Sequence, residues 1–330
     1  MTPRYLELVC PAGTPAALRA AIEAGADTVY CGFRDATNAR NYPGLNFDRD
    51  ELQEAIAFAH SRNRHVLVAI NTFPRPGQTE LWHRAVDDAA ALGADAVILA
   101  DIGVLDYASR KHPHLRLHLS VQAAASNPMS LSFYRERFGI RRAVLPRVLT
   151  VREIASLVEQ MGVEAEVFAF GSLGTMTEGR CILSSYLTGR SPSSDGVCAP
   201  AEHVAFAEEG EEMVIRLGGL TMNRFPRDEA AGYPTPCKAR LLAHGVPSYL
   251  FDEPVGLNTL DILPQLKAAG VTALKIEGRQ RSRAYVTQVV RAFRTALDAL
   301  AGGQPMPPID LSGIVEGRKE THGAYVKGWR

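Results

Sequence analysis

The sequence has no surplus of charge of either sign. Its 330 residues contain 36 Lys and Arg against 36 Asp and Glu, and the isoelectric point is about 7.1. Binding to nucleic acid phosphates requires a surplus of cations, so the composition argues against a nucleic acid as the main partner, although a local basic groove stays open. The apolar fraction of 46% is ample for one large core or two ordinary ones.

Long apolar runs and abundant cysteine are also missing. No run approaches the roughly 20 residues that a transmembrane helix needs, and the amino-terminal MTPRYLELVCPAG passes directly into a strand-like segment rather than a signal peptide. Cysteine is odd in number, five in all, which argues against a disulfide framework. We therefore expect a protein of the reducing, cytoplasmic compartment, without a transmembrane segment.

Several common functional motifs are absent. The chain contains no G-x-G-x-x-G or Walker loop, no H-E-x-x-H zinc motif and no G-x-S-x-G nucleophile elbow. The residues themselves therefore give no support to these forms of nucleotide binding, to a zinc protease or to a serine hydrolase.

The sequence does contain a repeated unit, made of a helical pattern, a Gly turn and a short apolar run. The turn at Gly25 precedes TVYCGF, and those at Gly93, Gly139 and Gly270 precede AVILAD, AVLPRV and ALKIEG. Glycine tolerates the left-handed conformation that ends a helix. Continuous aliphatic runs are typical of parallel strands buried on both faces.

Eight strands are predicted, alternating with amphipathic helical segments, at residues 6–10, 28–32, 66–71, 96–101, 115–121, 143–147, 166–170 and 273–278. This alternation favours a closed (β/α)8 TIM-like barrel over a doubly wound open sheet. We predict seven β/α units in residues 1–171 and an irregular or β-rich insertion in 172–256, with strand-like stretches at 203–207 and 212–217. The last β/α unit then occupies 257–300, and a C-terminal tail, interpreted as a surface extension, occupies 301–330.

Polar residues follow several predicted strands at their carboxyl ends, the face where barrel enzymes place their sites. The candidates for substrate binding are Arg40, Asn71, Arg147, Lys275, Glu277 and Arg279. Guanidinium groups bind carboxylates through paired hydrogen bonds, so the cations among these residues predict a small anionic substrate. No catalytic residue can be identified from the sequence.

Three cysteines of the predicted insertion, Cys181, Cys198 and Cys237, form a second candidate site. They lie in segments rich in Gly, Ser and Pro, and Arg180 and Lys238 adjoin two of them. Cationic neighbours favour the thiolate, which zinc and iron–sulfur clusters select. The alternative is that these are separate buried thiols, since free cysteine is often buried.

The chain resembles peptidase family U-32, the collagenase-like peptidases. The resemblance rests on EVF (166–168), GSL (171–173), EGRC (178–181) and Ser184. Further segments over nearly the whole chain resemble the UbiU branch of that family, among them CPAG (10–13), TNARNYPGLNF (37–47), LPRVL (145–149), SSYLTGRSP (184–192), GYPTPCK (232–238) and KIEGRQRSRAYV (275–286).

That branch takes part in oxygen-independent ubiquinone biosynthesis. The resemblance implies the iron–sulfur subunit of an anaerobic ring hydroxylase, carrying a 4Fe–4S cluster and working as a heterodimer with a UbiV-like paralogue. It also implies a polyprenylated phenol as quinone precursor and prephenate as hydroxyl donor, with no nucleic acid expected. Three alternatives stay open: a prephenate-dependent RNA hydroxylase like the sister TrhP and RlhA branches, a peptidase, and a non-catalytic scaffold subunit.

The family's cluster is held by four cysteines, of which three correspond to Cys181, Cys198 and Cys237. The remaining position is Gly174, which has no side chain to coordinate iron. Either the cluster keeps three thiolates and one open iron suited to Lewis-acid chemistry, or another group completes it, or the site is degenerate. We favour the three-thiolate cluster. The groups considered as a fourth ligand are Asp195, Glu178, His203, Cys10 and Cys31, although we expect the last two to be small core residues.

Overall fold

The computed structural model describes residues 5–173, 181–229, 231–251 and 253–326. Its first seven strands are β1 (Glu7–Pro11), β2 (Thr28–Cys31), β3 (His65–Ile70), β4 (Ala96–Leu99), β5 (Arg116–Leu119), β6 (Arg142–Val144) and β7 (Glu164–Ser172). Each strand pairs in parallel with the next one along the chain. Every one of the seven overlaps a strand predicted from the sequence.

Six helices connect these strands on the outside of the sheet: α1 (Pro15–Glu23), α2 (Arg49–His60), α3 (Glu80–Ala91), α4 (Ile102–Lys111), α5 (Pro128–Phe138) and α6 (Val151–Met161). Their ends follow from local sequence. Asp48 and Glu51 form a capping box at the start of α2, and Gly139 ends α5 in the predicted left-handed conformation (φ 68°). Within the described ranges, no helix has the length and apolar content that crossing a bilayer requires.

After β7 the described chain forms a small separate region. It contains α7 (Ile182–Thr188), α8 (Pro192–Asp195), an antiparallel sheet of β8 (Val204–Glu209), β9 (Glu212–Leu217) and β10 (Leu220–Pro226), and a hairpin of β11 (Arg240–Ala243) and β12 (Val246–Tyr249). Strands β8 and β9 lie at the two strand-like stretches of the sequence. A cluster of four buried side chains supports this region, Ala199, Leu217, Met222 and Ala239.

The chain then returns to the sheet through β13 (Gly256–Asn258), α9 (Leu263–Ala268), β14 (Ala273–Ile276) and α10 (Arg283–Ala301). Strand β14 pairs in parallel with both β7 and β1, which closes the sheet into a barrel. Strand β7 continues beyond that pairing and binds β13 in an antiparallel arrangement. The fold is therefore a (β/α)8 TIM-like barrel with an insertion between its seventh and eighth strands, as predicted.

Alternate side chains of the barrel strands face two different cores. Inside the barrel lie Val9, Tyr30, Leu67, Ala69, Ala96, Ile98 and Ala273. Cys10 and Cys31 belong instead to the larger core between the strands and the helices, where burial raises the pKa of both thiols, that of Cys31 to about 12. The idea that either could complete a metal site at the barrel mouth is wrong, because strand alternation turns both away from the barrel interior.

The C-terminal segment is not the surface extension that its Gly- and Pro-rich sequence predicted. Strand β15 (Glu320–Thr321) pairs in parallel with β13, and Leu311, Val315 and Tyr325 are buried in the outer core. The Tyr325 hydroxyl donates a 2.7 Å hydrogen bond to the carbonyl oxygen of Phe168 in β7. Backbone pairing with β13 and three buried side chains therefore hold this segment against the outer core and β7.

Candidate active site

The six residues predicted to bind substrate all line one recess at the carboxyl end of the barrel. The recess contains about 550 Å³ of empty space, part of it open to solvent, and its wall includes Arg40, Asn71, Arg147, Lys275, Glu277 and Arg279. These residues come from segments far apart in sequence and meet because parallel strands end at the same edge of the barrel. The clustering predicted from the sequence is thus present in the structure.

Glu277 joins two of the predicted cations. Its Oε1 accepts from Arg40 and its Oε2 from Arg147, each at 2.7 Å. Burial alone would raise the pKa of Glu277, but the two guanidinium groups lower it to about 2, so the carboxylate stays charged. Gly171 permits this arrangement, because a Cβ atom there would lie 2.6 Å from the Cβ of Glu277.

Lys275 lies deeper and is also paired. Its Nζ donates to Glu166 at 2.7 Å, and the same carboxylate accepts from Arg142 at 3.3 Å. Burial lowers the pKa of Lys275, and the contact with Glu166 opposes that effect. Lys275 therefore belongs to a buried ion network of the barrel interior, and its charge is already compensated when the recess is empty.

Arg279 is the cation of the recess with no carboxylate within 4 Å among the described residues. It is 7% exposed, its Nη1 donates to Asn38 Oδ1 at 3.2 Å, and its guanidinium lies 5.3 Å from the ring centre of Tyr30. Burial and the neighbouring Arg40 lower the pKa of Arg279 to about 10, which leaves it cationic at neutral pH. A Cβ atom on Gly13 would lie 1.9 Å from the Arg279 carbonyl oxygen, so that glycine allows the strand ends to meet.

The described wall of the recess is rich in cations. Apart from Lys275, which is paired with Glu166, it contains Arg40, Arg147 and Arg279 together with the carboxylate of Glu277. Several guanidinium groups in a partly dehydrated recess fit a small anionic ligand.

A chain of hydrogen bonds fixes the neutral side of the recess. The backbone N–H of Ala39 donates to Asn71 Oδ1 at 3.0 Å, and Asn71 Nδ2 donates to Ser120 Oγ at 3.3 Å. Ser120 Oγ also accepts from the backbone of Gln122 at 3.3 Å. Gln122 is 5% exposed, and its Oε1 has no hydrogen-bond partner within the described part of the chain.

Two aromatic side chains of the wall are absent from the sequence-based candidate set. Phe168 lies 3.5 Å beneath the guanidinium of Arg147, and the Tyr30 ring lies 3.7 Å from Lys275 Nζ. Both belong to barrel strands, in which every second side chain faces the interior. That alternation in the sequence could have identified them as residues of the wall. Aromatic faces hold cations by electrostatic attraction, so these rings orient the cationic groups.

The three cysteines of the insertion line one larger cavity that continues from this recess. The cavity has about 2590 Å³ of empty space, part of it open to solvent, and its wall includes Cys181, Cys198 and Cys237 together with Arg40, Arg147, Glu277 and Arg279. Cys181 immediately precedes α7, Cys198 follows the turn after α8, and Cys237 lies in the single turn Pro236–Lys238. Separate irregular segments thus bring three thiols to the barrel mouth.

The three thiols lie on the wall of one cavity that is partly open to solvent. All three are partly exposed to the cavity. Burial raises the pKa of Cys237 to about 11, the neighbouring Lys238 opposes this increase, and electrostatic interaction with Cys198 and Cys181 adds to it. A metal cation that binds neighbouring thiols displaces their protons and offsets the repulsion between the resulting thiolates.

The arrangement differs from a site for one metal ion. Within the described ranges, no three Cys, His, Asp or Glu side chains are grouped to hold a single ion. Ligands of one zinc ion crowd together because each Zn–S bond is about 2.3 Å, whereas the thiolates of a 4Fe–4S cluster bind different iron atoms and stand farther apart. The three thiols are therefore not arranged as the ligands of a lone zinc ion.

The candidates for a fourth ligand are not found on the described wall of the cavity. Gly174 and Glu178 lie outside the described residues. The Asp195 carboxylate accepts two hydrogen bonds of 2.6 Å from Arg75, and neither Asp195 nor His203 lines the cavity. In this structure the described chain therefore supplies three thiols and no further ligand from that set.

Four similarities to known proteins accompany this geometry. The model of Peptidase family U32 matches residues 13–329. The tRNA hydroxylation protein P of Escherichia coli (strain K12) is 30% identical over 97% of this chain and 76% of its own length, and that of Helicobacter pylori (strain ATCC 700392 / 26695) is 31% identical over 89% and 64%. The 23S rRNA 5-hydroxycytidine C2501 synthase of Escherichia coli (strain K12) is 27% identical over 89% of this chain and 40% of its own length.

Proposed function

The chain belongs to peptidase family U32, and from this premise we propose that it is the iron–sulfur subunit of an oxygen-independent hydroxylase of ubiquinone biosynthesis. One observation carries the proposal: three cysteine thiols and a recess rich in guanidinium groups share one cavity. The motifs that resemble the UbiU branch support the assignment to this pathway. On that basis the subunit works as a heterodimer with a UbiV-like paralogue on a polyprenylated phenol, with prephenate as hydroxyl donor.

The residues of the recess suit a dianionic co-substrate such as prephenate. Arg279 offers a buried guanidinium that has no carboxylate within 4 Å in the described part of the chain, and Arg40 and Arg147 are already fixed by Glu277. Because Glu277 holds both arginines in place, less side-chain entropy is lost when the carboxylates bind. The buried amide of Gln122 stands beside them to accept a hydrogen bond from a hydroxyl group.

Cys181, Cys198 and Cys237 would hold the cluster. When bound through three thiolates, such a cluster supplies electrons and one iron able to act as a Lewis acid. The chain's own contribution is one cavity whose wall carries both the cations of the recess and the three thiols.

A second candidate, hydroxylation of RNA, is favoured by the similarity to a tRNA hydroxylation protein and to a 23S rRNA 5-hydroxycytidine synthase. The balance of 36 positive and 36 negative residues counts against it, because phosphate contacts require surplus cations. Peptidase activity has no support in the recess, whose described wall contains no His beside its single Ser. We therefore retain RNA hydroxylation as the runner-up.

Metal analysis of variants tests the site. Protein purified without oxygen, together with its paralogue, should contain iron and acid-labile sulfide. Cys181→Ser, Cys198→Ser and Cys237→Ser should each lose both, whereas Cys31→Ala, a thiol in the outer core, should keep them. Zinc without sulfide in the wild-type protein would overturn the cluster assignment.

A deletion strain tests the pathway. Loss of the gene should abolish ubiquinone synthesis in anoxic cultures and leave it intact in air, and the wild-type gene but not Cys181→Ser should restore it. Hydroxylated nucleosides of tRNA and 23S rRNA should be unchanged in the same cells. The reverse result, with unchanged anoxic ubiquinone and a missing hydroxylated nucleoside, would replace the proposal by RNA hydroxylation.

A further inference from the structure

Tyr42 makes a polar contact with one of the three cavity thiols. Its hydroxyl oxygen lies 3.3 Å from Cys198 Sγ, and both residues line the large cavity. Sulfur hydrogen bonds are longer than those between oxygen and nitrogen, so this distance fits a hydrogen bond to the thiol. None of the functions assigned above gives Tyr42 a role.

The contact depends on two segments that are locked together. Tyr42 belongs to the loop after β2, where its backbone N–H donates to the Arg40 carbonyl at 3.0 Å. Cys198 follows Gly196, whose φ is 77° and where a Cβ atom would lie 2.1 Å from the Asn38 carbonyl oxygen. The segment carrying the thiol therefore packs directly on the loop carrying the tyrosine.

The direction of the hydrogen bond follows from the chemistry of ligation. A cysteine that binds iron is a thiolate and has no proton to donate. The phenol of Tyr42 is then the donor and Cys198 Sγ the acceptor. Hydrogen bonds to the sulfur atoms of an iron–sulfur cluster are one of the factors that set its reduction potential, and they stabilise the reduced form more because it carries more negative charge.

We infer that Tyr42 is a positioning residue that donates a hydrogen bond to the Cys198 thiolate and thereby raises the reduction potential of the bound cluster. The inference rests on the proposed cluster and adds a determinant of its potential. Tyr42 acts through Cys198 and supplies no ligand. The loop that carries Tyr42 also carries Arg40, two residues earlier, so a single loop lines both the recess and the cavity of the three thiols.

The matched control is Tyr233. Its ring meets that of Tyr42 edge to face, with 6.2 Å between the ring centres, and its hydroxyl donates to the Ala199 carbonyl at 2.7 Å. Tyr233→Phe therefore removes a hydroxyl group from the same aromatic pair without touching the contact to Cys198 Sγ.

The test is a redox titration of anaerobically reconstituted full-length protein, followed by EPR, on wild type, Tyr42→Phe and Tyr233→Phe. We expect equal iron and sulfide contents, a more negative midpoint potential for Tyr42→Phe and a wild-type potential for Tyr233→Phe. Equal potentials in all three proteins, or equal shifts in both variants, would overturn the role of Tyr42 while leaving the cluster in place. A wild-type protein that binds no iron and sulfide would instead refute the proposed function, and the role of Tyr42 with it.

Discussion

At the scale of single residues, the charge balance of the recess depends on Arg279. Arg40, Arg147 and Lys275 each have a carboxylate partner at 2.7 Å, whereas Arg279 is held by the neutral amide of Asn38. A bound anion therefore gains more from Arg279 than from the other three, because no internal ion pair must be weakened.

The first prediction is that Arg279→Gln weakens the binding of prephenate about 10- to 100-fold, because hydrogen bonds to charged groups contribute about 1.5–3 kcal/mol. Isothermal titration calorimetry on the purified protein measures the effect. Arg227→Gln, at an arginine whose side chain is 72% exposed and outside the cavity, is the control and should bind like wild type. Equal affinity of both variants would show that the anion binds elsewhere.

The second prediction concerns acid stability and Glu277. Its pKa in the folded protein is about 2, against an ordinary value of 4.5, so its stabilising effect is present above about pH 4.5 and is lost as the pH falls towards 2. The loss amounts to about 3 kcal/mol when complete. Urea unfolding between pH 6 and pH 3 should show a smaller decrease for Glu277→Gln than for wild type.

Glu136→Gln provides the comparison for that experiment, since this carboxylate is 69% exposed on α5. It should lose stability with falling pH as steeply as wild type does. If Glu277→Gln followed the same curve, the ion pairs with Arg40 and Arg147 would contribute nothing to the pH dependence.

The sequence predicted which residues meet at the mouth but not how they pair. Positions at strand ends were enough to group Arg147 with Glu277, although they are 130 residues apart. The pairing itself depends on side-chain direction and on close approaches such as that at Gly171, which periodicity does not encode. For the same reason the sequence could not show that Arg279, unlike Arg40, Arg147 and Lys275, has no carboxylate within 4 Å among the described residues.

At the scale of secondary structure elements, the C-terminal strand β15 and the turn after it hold the outer end of β7. Strand β15 pairs with β13, which pairs in turn with β7 where that strand leaves the barrel. Tyr325 adds a buried hydroxyl contact to the Phe168 carbonyl. The Phe168 ring also packs against the guanidinium of Arg147 in the wall of the recess. The C-terminal segment therefore supports the recess through its contact with Phe168.

The third prediction is that Tyr325→Ala lowers the free energy of unfolding by about 3–5 kcal/mol, the usual cost of truncating a buried aromatic side chain. Tyr325→Phe should cost about 1–3 kcal/mol, because the Phe168 carbonyl loses its partner. Urea denaturation followed by circular dichroism measures both. Val326→Ala, at the neighbouring side chain that is 61% exposed, should change the stability by less than about 0.5 kcal/mol.

Elements with a clear period were predicted well, and those without one were not. Residues 80–92 (ELWHRAVDDAAAL) form one of the amphipathic segments between predicted strands, and the structure has α3 at Glu80–Ala91. By contrast α7 and α8 are seven and four residues long, too short for a helical period to show. The C-terminal segment was assigned to the surface because its three anchoring side chains are spaced irregularly among Gly and Pro.

At the scale of the whole molecule, buried apolar side chains are unevenly distributed between the barrel and the insertion. The barrel has a large outer core and an interior core, whereas the insertion has one cluster of four buried side chains and further buried apolar residues at Val197, Val214, Ile215 and Phe225. Strand β8 exposes most of its side chains. A region with so little buried apolar surface opens more readily than the barrel does, unless bound metal holds its segments together.

The barrel was predictable at this scale because its units repeat locally, so that eight similar patterns indicated one closed sheet. The insertion was located by the interruption of that repeat between the seventh and eighth strands. Its internal arrangement was not predictable, since its three thiols converge through irregular turns whose backbone path no periodic signal describes.

The fourth prediction follows from this uneven distribution. Limited proteolysis of the iron-free Cys237→Ser variant should cut the chain within residues 181–251, and the iron-loaded wild-type protein should resist cleavage there. The barrel should give a protected fragment in both, because its core does not depend on the three thiols. Cys31→Ala, loaded with iron, is the control and should resist like wild type. Cleavage at equal rates in loaded and iron-free protein would mean that the insertion folds without metal, and that the thiols are held in place by the protein alone.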